Sequence, residues 1–84
     1  MTPEEVAFLR VVGKRVRIHR LVREWSQEQL GDAAGISRSF ISLVEKGRHD
    51  TGVLKLWRIA AVLDVPLAEL RAPPPGPGRR ALID

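Results

Sequence analysis

Apolar residues recur at helical spacing in successive stretches of the chain, and no alternating strand pattern appears. Phe8, Leu9, Val12 and Val16 fall on one predicted helical face. Thr2 caps this first helix, Pro3 suits its first position, and Glu5 closes a capping box. Its expected span ends near Arg23, with Phe8 and Leu9 in the core. Ser26 and Gln29 form a second capping box, with Trp25 placed to pack on Leu30. This opens a short helix from about Gln27 to Ala34. Gly35 then occupies a turn position that wants positive φ, which glycine adopts without a Cβ penalty. Ser37 caps a third helix that ends at Gly47. Leu30, Ala34, Ile36, Ile41 and Val44 supply apolar contacts between the two, and Gly31 lets them cross closely. After the polar loop at 48–52, with Thr51 or Gly52 as cap, a fourth helix carries Val53, Leu56, Trp57, Ile59, Ala60 and Leu63. Pro66 breaks it and starts a short fifth helix through Leu70. The expected fold is all-α with five helices.

Composition narrows the class. Eighty-four residues with 44% hydrophobic content suit one small folded domain, placed at 1–71, with a Pro-rich tail at 72–84. No apolar run reaches 18 residues, and MTPEEVAFLR has no basic-then-apolar order, so neither a membrane span nor a secretory signal is expected. The chain has no cysteine and only two histidines, which leaves no disulfide framework and no metal-ligand cluster. There is no nucleophile–base pair and no phosphate-binding glycine loop, so an enzyme is the weakest reading. The net charge of +4 favours a polyanionic partner.

The segment 26–47, SQEQLGDAAGISRSFISLVEKG, is a helix-turn-helix pattern, whose second helix enters the DNA major groove. On that helix Ile41 and Val44 point inward. Arg38, Ser39, Ser42, Leu43 and Lys46 share the other face. Arginine carries the fork that matches guanine O6 and N7, serine discriminates weakly, and Leu43 is either a thymine-methyl contact or a scattered surface leucine. Gln27 stands at a helix N-terminus, where backbone N–H groups suit a phosphate.

Residues 13–70 resemble the Cro/repressor-type, or xenobiotic-response-element, helix-turn-helix family. The matching residues are Gly13, Val16, Arg17 and Arg20; Ser26-Gln27 with Leu30; Gly35-Ile36-Ser37; Ile41-Ser42; Glu45-Lys46-Gly47; and Arg58-Ile59-Ala60 with Leu63 and Val65. The resemblance implies a lambda-repressor-like domain. It implies base contacts by Arg38, Ser39, Ser42 and Leu43, and phosphate contacts by Gln27, Ser37, Lys46, Arg48, Arg17 and Arg23. It further implies a semi-buried ion pair between Arg20 and Glu45, and dimerisation through Trp57, Leu67 and Leu70. Three departures stand out: glycine at 31 where the family usually has alanine, with an expected helix cost of about 1 kcal/mol; glutamate at 24 where it often has glycine; and Asp50-Thr51 where an asparagine–proline pair is common.

The function expected from the resemblance is a cytoplasmic, bacterial or phage-encoded transcriptional regulator that binds palindromic operators in double-stranded DNA as a homodimer. No cofactor, small-molecule ligand or membrane partner is expected. Its string RSFISLVEKGRHD is similar to restriction–modification controller proteins, as to much of the family. The rival from another class is an antitoxin or protein-interaction module. For the tail, with Arg79-Arg80 before Ala81-Leu82-Ile83, three readings stay open: a frayed end, a basic arm on DNA, or an apolar anchor across the dimer.

Overall fold

Thr2 begins the fold: its side chain accepts from the Glu5 N–H while Glu5 accepts from the Thr2 N–H, at 3.1 and 2.8 Å. From this cap helix α1 runs over Pro3–Val22 in the computed structural model, which describes residues 1–71. The expected tail at 72–84 lies outside the described residues. Helices α2 (Gln27–Ala34), α3 (Arg38–Lys46), α4 (Val53–Leu63) and α5 (Leu67–Arg71) follow. The protein is all-α, and among the described residues no helix is long and apolar enough to cross a membrane.

Local chemistry sets the boundaries. Ser26 and Gln29 close the second reciprocal box at 2.8 and 3.0 Å. Gly35 ends α2 at φ +70° in the left-handed region, and its N–H returns to the Gly31 carbonyl. Ser37 caps α3 by accepting from the Phe40 N–H at 3.1 Å. Of the two candidate caps for α4, Gly52 holds the position, at φ +77° and with no side-chain bond. Thr51 is buried instead, and Asp50 shapes the loop by accepting from the Gly52 N–H at 3.1 Å. This aspartate turn takes the place of the asparagine–proline pair. Glu24 stands at φ +58°, so glutamate fills a left-handed turn position better suited to glycine.

The core gathers Val12 and Val16 from α1, Leu30 from α2, Ile41 and Val44 from α3, and Ile59 from α4. Trp25 packs against this cluster from the turn before α2. Two glycines set how closely α3 is approached. A Cβ on Gly13 would lie 2.7 Å from the Glu45 carbonyl oxygen and against that of Val44, so α1 passes over the end of α3 backbone to backbone. A Cβ on Gly31 would run into the Ile36 carbonyl oxygen. Glycine at 31 is therefore a packing requirement of this turn, and not only the propensity cost expected from the sequence.

Three apolar positions differ from expectation. Phe8 is 45% exposed and Leu9 only half-buried, because both border an open hollow shared with Asp50 and Val53. Leu70, expected on a partner-facing surface, is fully buried. Helix α5 folds back on α1, where Arg15 Nη1 donates to the Glu69 carbonyl and to its carboxylate, both at 3.1 Å. Leu70 belongs to the core of its own chain, and the partly exposed contact of Arg15 with Glu69 lies beside it in sequence.

Candidate nucleic-acid interface

Helix α3 is held from behind and open in front. Ile41 and Val44 are buried, while Arg38, Ser39 and Lys46 are exposed, Leu43 is 39% exposed and Ser42 is half-buried. The helical period thus separates the residues that fix the helix from those it presents.

The fixing extends beyond apolar contact. Arg20 grips Glu45 as a fork: Nε donates to Oε2 at 2.7 Å and Nη2 to Oε1 at 3.0 Å. Its third nitrogen, Nη1, donates to the Trp25 carbonyl at 2.7 Å. Gln27 Nε2 adds a bond to Glu45 Oε1 at 3.2 Å. One guanidinium therefore ties α1, the turn before α2 and α3 together. The bond to Glu45 holds the Arg20 pKa above its ordinary value, against the opposing effect of burial. A planar, permanently charged fork suits this site; an ammonium could not make the same paired bonds.

The side chains expected at phosphates divide into two groups. Arg17, Lys46 and Arg48 are exposed, and among the described residues none of them takes part in an ion pair. Gln27, Ser37 and Arg23 are engaged within the chain. Gln27 braces Glu45, and the Ser37 oxygen caps α3. Arg23 is drawn to the far end of α4, where its Nε donates to the Leu63 carbonyl at 3.2 Å and its guanidinium lies 5.3 Å from the Trp25 ring centre. Arg23 thus differs from Arg17, Lys46 and Arg48 in having partners within the chain.

Sequence reasoning missed a second brace. Lys55 Nζ sits 4.0 Å from the Phe40 ring centre, and His49 meets the same ring edge-on at 5.3 Å. This fastens the loop after α3 to the side of the recognition helix. The three residues come from α3, the loop and α4, so no local spacing could have revealed the contact. Among the described residues no cluster of His, Asp or Glu could hold a metal ion.

A family model described as helix-turn-helix, HTH_3, matches residues 16–70. The chain belongs to the HTH_3 helix-turn-helix family. A hypothetical transcription factor of Neisseria meningitidis is 32% identical over 72 residues, covering 86% of this chain and 68% of that protein. An HTH-type transcriptional regulator of Sinorhizobium medicae is 37% identical over 67 residues, covering 80% of this chain and 48% of that protein. This HTH_3 chain thus spans about half the length of the rhizobial regulator it matches. In three dimensions it is similar to the restriction–modification controller protein C.AhdI from Aeromonas hydrophila, with a TM-score of 0.74 and 33% identity over 76% of this chain and 97% of that one. It is also similar to the crystal structure of the Neisseria hypothetical transcription factor NHTF, with a TM-score of 0.78 and 28% identity over 100% of this chain and 93% of that one. The HTH_3 chain has the DNA-binding fold of transcriptional regulators, a non-enzymatic class.

Proposed function

We propose that residues 1–71 form a sequence-specific DNA-binding domain that acts as a homodimer on palindromic operators, in the cytoplasm, with α3 in the major groove. The observation that carries this reading is the division of α3. Arg38, Ser39, Ser42 and Leu43 lie on its outer side, while Arg20 and Gln27 hold Glu45 on its inner side. Arg38 reads a guanine edge, the two serines and Leu43 complete the base-facing surface, and Arg17, Lys46 and Arg48 contact phosphates. Gln27 acts mainly by positioning, with its backbone N–H left for a phosphate at the start of α2.

One short recognition helix is a small specific surface, and a two-fold pair doubles it while matching a palindrome. A pairing surface is available on α4. Leu54 and Trp57 are 60% and 58% exposed, three residues apart on one helical face. Leu67, on α5, is half-buried. Similarity to C.AhdI supports a controller-type regulator. Sedimentation of the chain with an operator selected from random duplexes tests the proposal. The expected saturating complex holds two chains per duplex, with half-site centres about 10 bp apart. Saturation at one chain per duplex overturns the dimer, and failure to enrich any sequence overturns specific readout in favour of a protein-interaction role.

A further inference from the structure

A groove on the side of the fold beside the N-terminal half of α1 is used neither by the core nor by the face of α3. It consists of two adjoining hollows of about 510 and 230 Å³ that share Phe8, Leu9 and Asp50. Its two ends differ. One reaches Glu4 and Glu5 at the start of α1; the other reaches Val53 and Arg71, the last described residue. The floor is apolar: Phe8 is 45% and Val53 70% exposed, more apolar surface than the monomer's own packing explains. The rim is acidic in a chain of net charge +4. Glu4, Glu5 and Asp50 have no ion-pair partner among the described residues, whose ion pairs engage Glu45 and Glu69. Hydrogen bonds to Thr2 hold the Glu5 carboxyl below its ordinary pKa, with Asp50 a smaller opposing like charge, so this end of the rim is charged.

We propose that this groove is the seat of the chain's own C-terminal segment, with Arg79 and Arg80 on the acidic rim and Leu82 and Ile83 on the floor formed by Phe8 and Leu9. Three observations select this occupant. The chain leaves the described structure at Arg71, which lines one end of the groove. The segment Arg79-Arg80-Ala81-Leu82-Ile83 places a basic pair directly before an apolar pair, complementary to a rim and floor that are acidic and apolar. The reach is also sufficient. Eight steps separate Arg71 from Arg79, an extended span of about 26–29 Å. The helical rise from Val12 back to Glu4 is only about 12 Å. A tethered segment also meets its site at an effective concentration in the millimolar range for a short linker, so modest contacts suffice. This inference does not depend on what α3 reads.

The test uses the full chain, isotopically labelled, and follows backbone amide resonances. The double variant Leu82→Asp/Ile83→Asp is expected to shift the resonances of Phe8, Leu9, Gly52 and Val53 and leave those of residues 38–46 in place. The conservative Leu82→Met/Ile83→Val should keep the wild-type positions. Arg79→Glu/Arg80→Glu should reproduce the shifts, and adding Glu4→Arg should reverse part of them. Unmoved groove resonances in the Asp variant overturn the proposal. Shifts with the Asp variant but none with the arginine reversal overturn the pairing on the acidic rim. Unlabelled wild-type chain is then added to the labelled Asp variant. If the groove resonances return to their wild-type positions, the segment comes from a second copy, which overturns seating within one chain.

Discussion

Gly13 on α1 lies directly over the carbonyl oxygens of Val44 and Glu45 at the end of α3, with no room for a methyl group between them. Helix α3 is thus seated against bare backbone of the first helix. Gly13→Ala must push the helices apart or bend one of them, and neither backbone has a flexible side-chain tip to move aside. The expected loss is about 1–3 kcal/mol, despite alanine's better helix propensity. Urea denaturation of the variant measures it; unchanged stability would mean that the two helices separate freely.

The fork between Arg20 and Glu45 predicts an asymmetric set of variants. Glu45→Ala leaves a nearly buried guanidinium facing an empty site and should cost about 3–5 kcal/mol. Arg20→Lys keeps the charge but not the paired bonds or the bond to Trp25, so it should destabilise the fold by less than Glu45→Ala. Replacing both residues with packed apolar side chains should be milder than either single deletion. A double-mutant cycle on thermal unfolding checks the order.

Glu24 offers a gain. Its left-handed backbone costs a non-glycine residue about 1–2 kcal/mol, while glycine loses part of that advantage through a more flexible unfolded chain. Glu24→Gly should therefore stabilise the fold by about 0.5–1 kcal/mol, seen as a higher midpoint in chemical denaturation. A lower midpoint would show that the glutamate side chain makes a compensating contact.

On DNA, outward and bracing residues should behave differently. Arg38→Ala should cost about 1–3 kcal/mol and relax preference at one base position. Gln27→Ala removes one bond on Glu45 while Arg20 keeps its two, so it should cost less than Arg38→Ala and shift preference at no single base position. Lys46→Ala or Arg48→Ala should each lower the slope of affinity against salt by about one. Binding titrations at several salt concentrations, on selected and scrambled duplexes, separate these outcomes. Equal losses on both duplexes for Arg38→Ala would falsify its base-reading role.

Leu70 and Trp57 should part company as well. Leu70→Ala opens a cavity inside the chain and should cost about 2–5 kcal/mol of folding stability. Trp57→Glu removes an exposed aromatic and should leave a folded monomer with weak operator binding. Analytical ultracentrifugation together with circular dichroism distinguishes a lost dimer from a lost fold.

The helices were legible because their signals are local. Thr2 with Glu5, and Ser26 with Gln29, satisfy orphan N–H groups within one turn, so sequence alone marks where α1 and α2 begin. Gly35 marks the turn for the same reason. Burial was less legible because periodicity reveals an apolar face but not how far its cover extends. Phe8 continues the stripe of Val12 and Val16 but borders an open hollow shared with Asp50 and Val53, whereas Leu70 packs into the core cluster. At Gly31 the expected close crossing is present, and the propensity cost alone understates the position, because propensity counts the helix by itself while the Ile36 carbonyl belongs to the chain's next turn. On α3 the outward face followed from the helical period. The contact of Lys55 with Phe40, and the diversion of Arg23 to Leu63, depend on packing between distant segments.

The separation of the two sides of α3 has an evolutionary consequence. Ile41, Val44 and Glu45 carry the contacts that seat the helix, and none of them is among the outward positions 38, 39, 42 and 43. Mutational drift at those four positions therefore meets little resistance from folding. On the proposed base-reading role of these four side chains, gene duplicates of this chain could diverge there in target preference while inheriting the same interior.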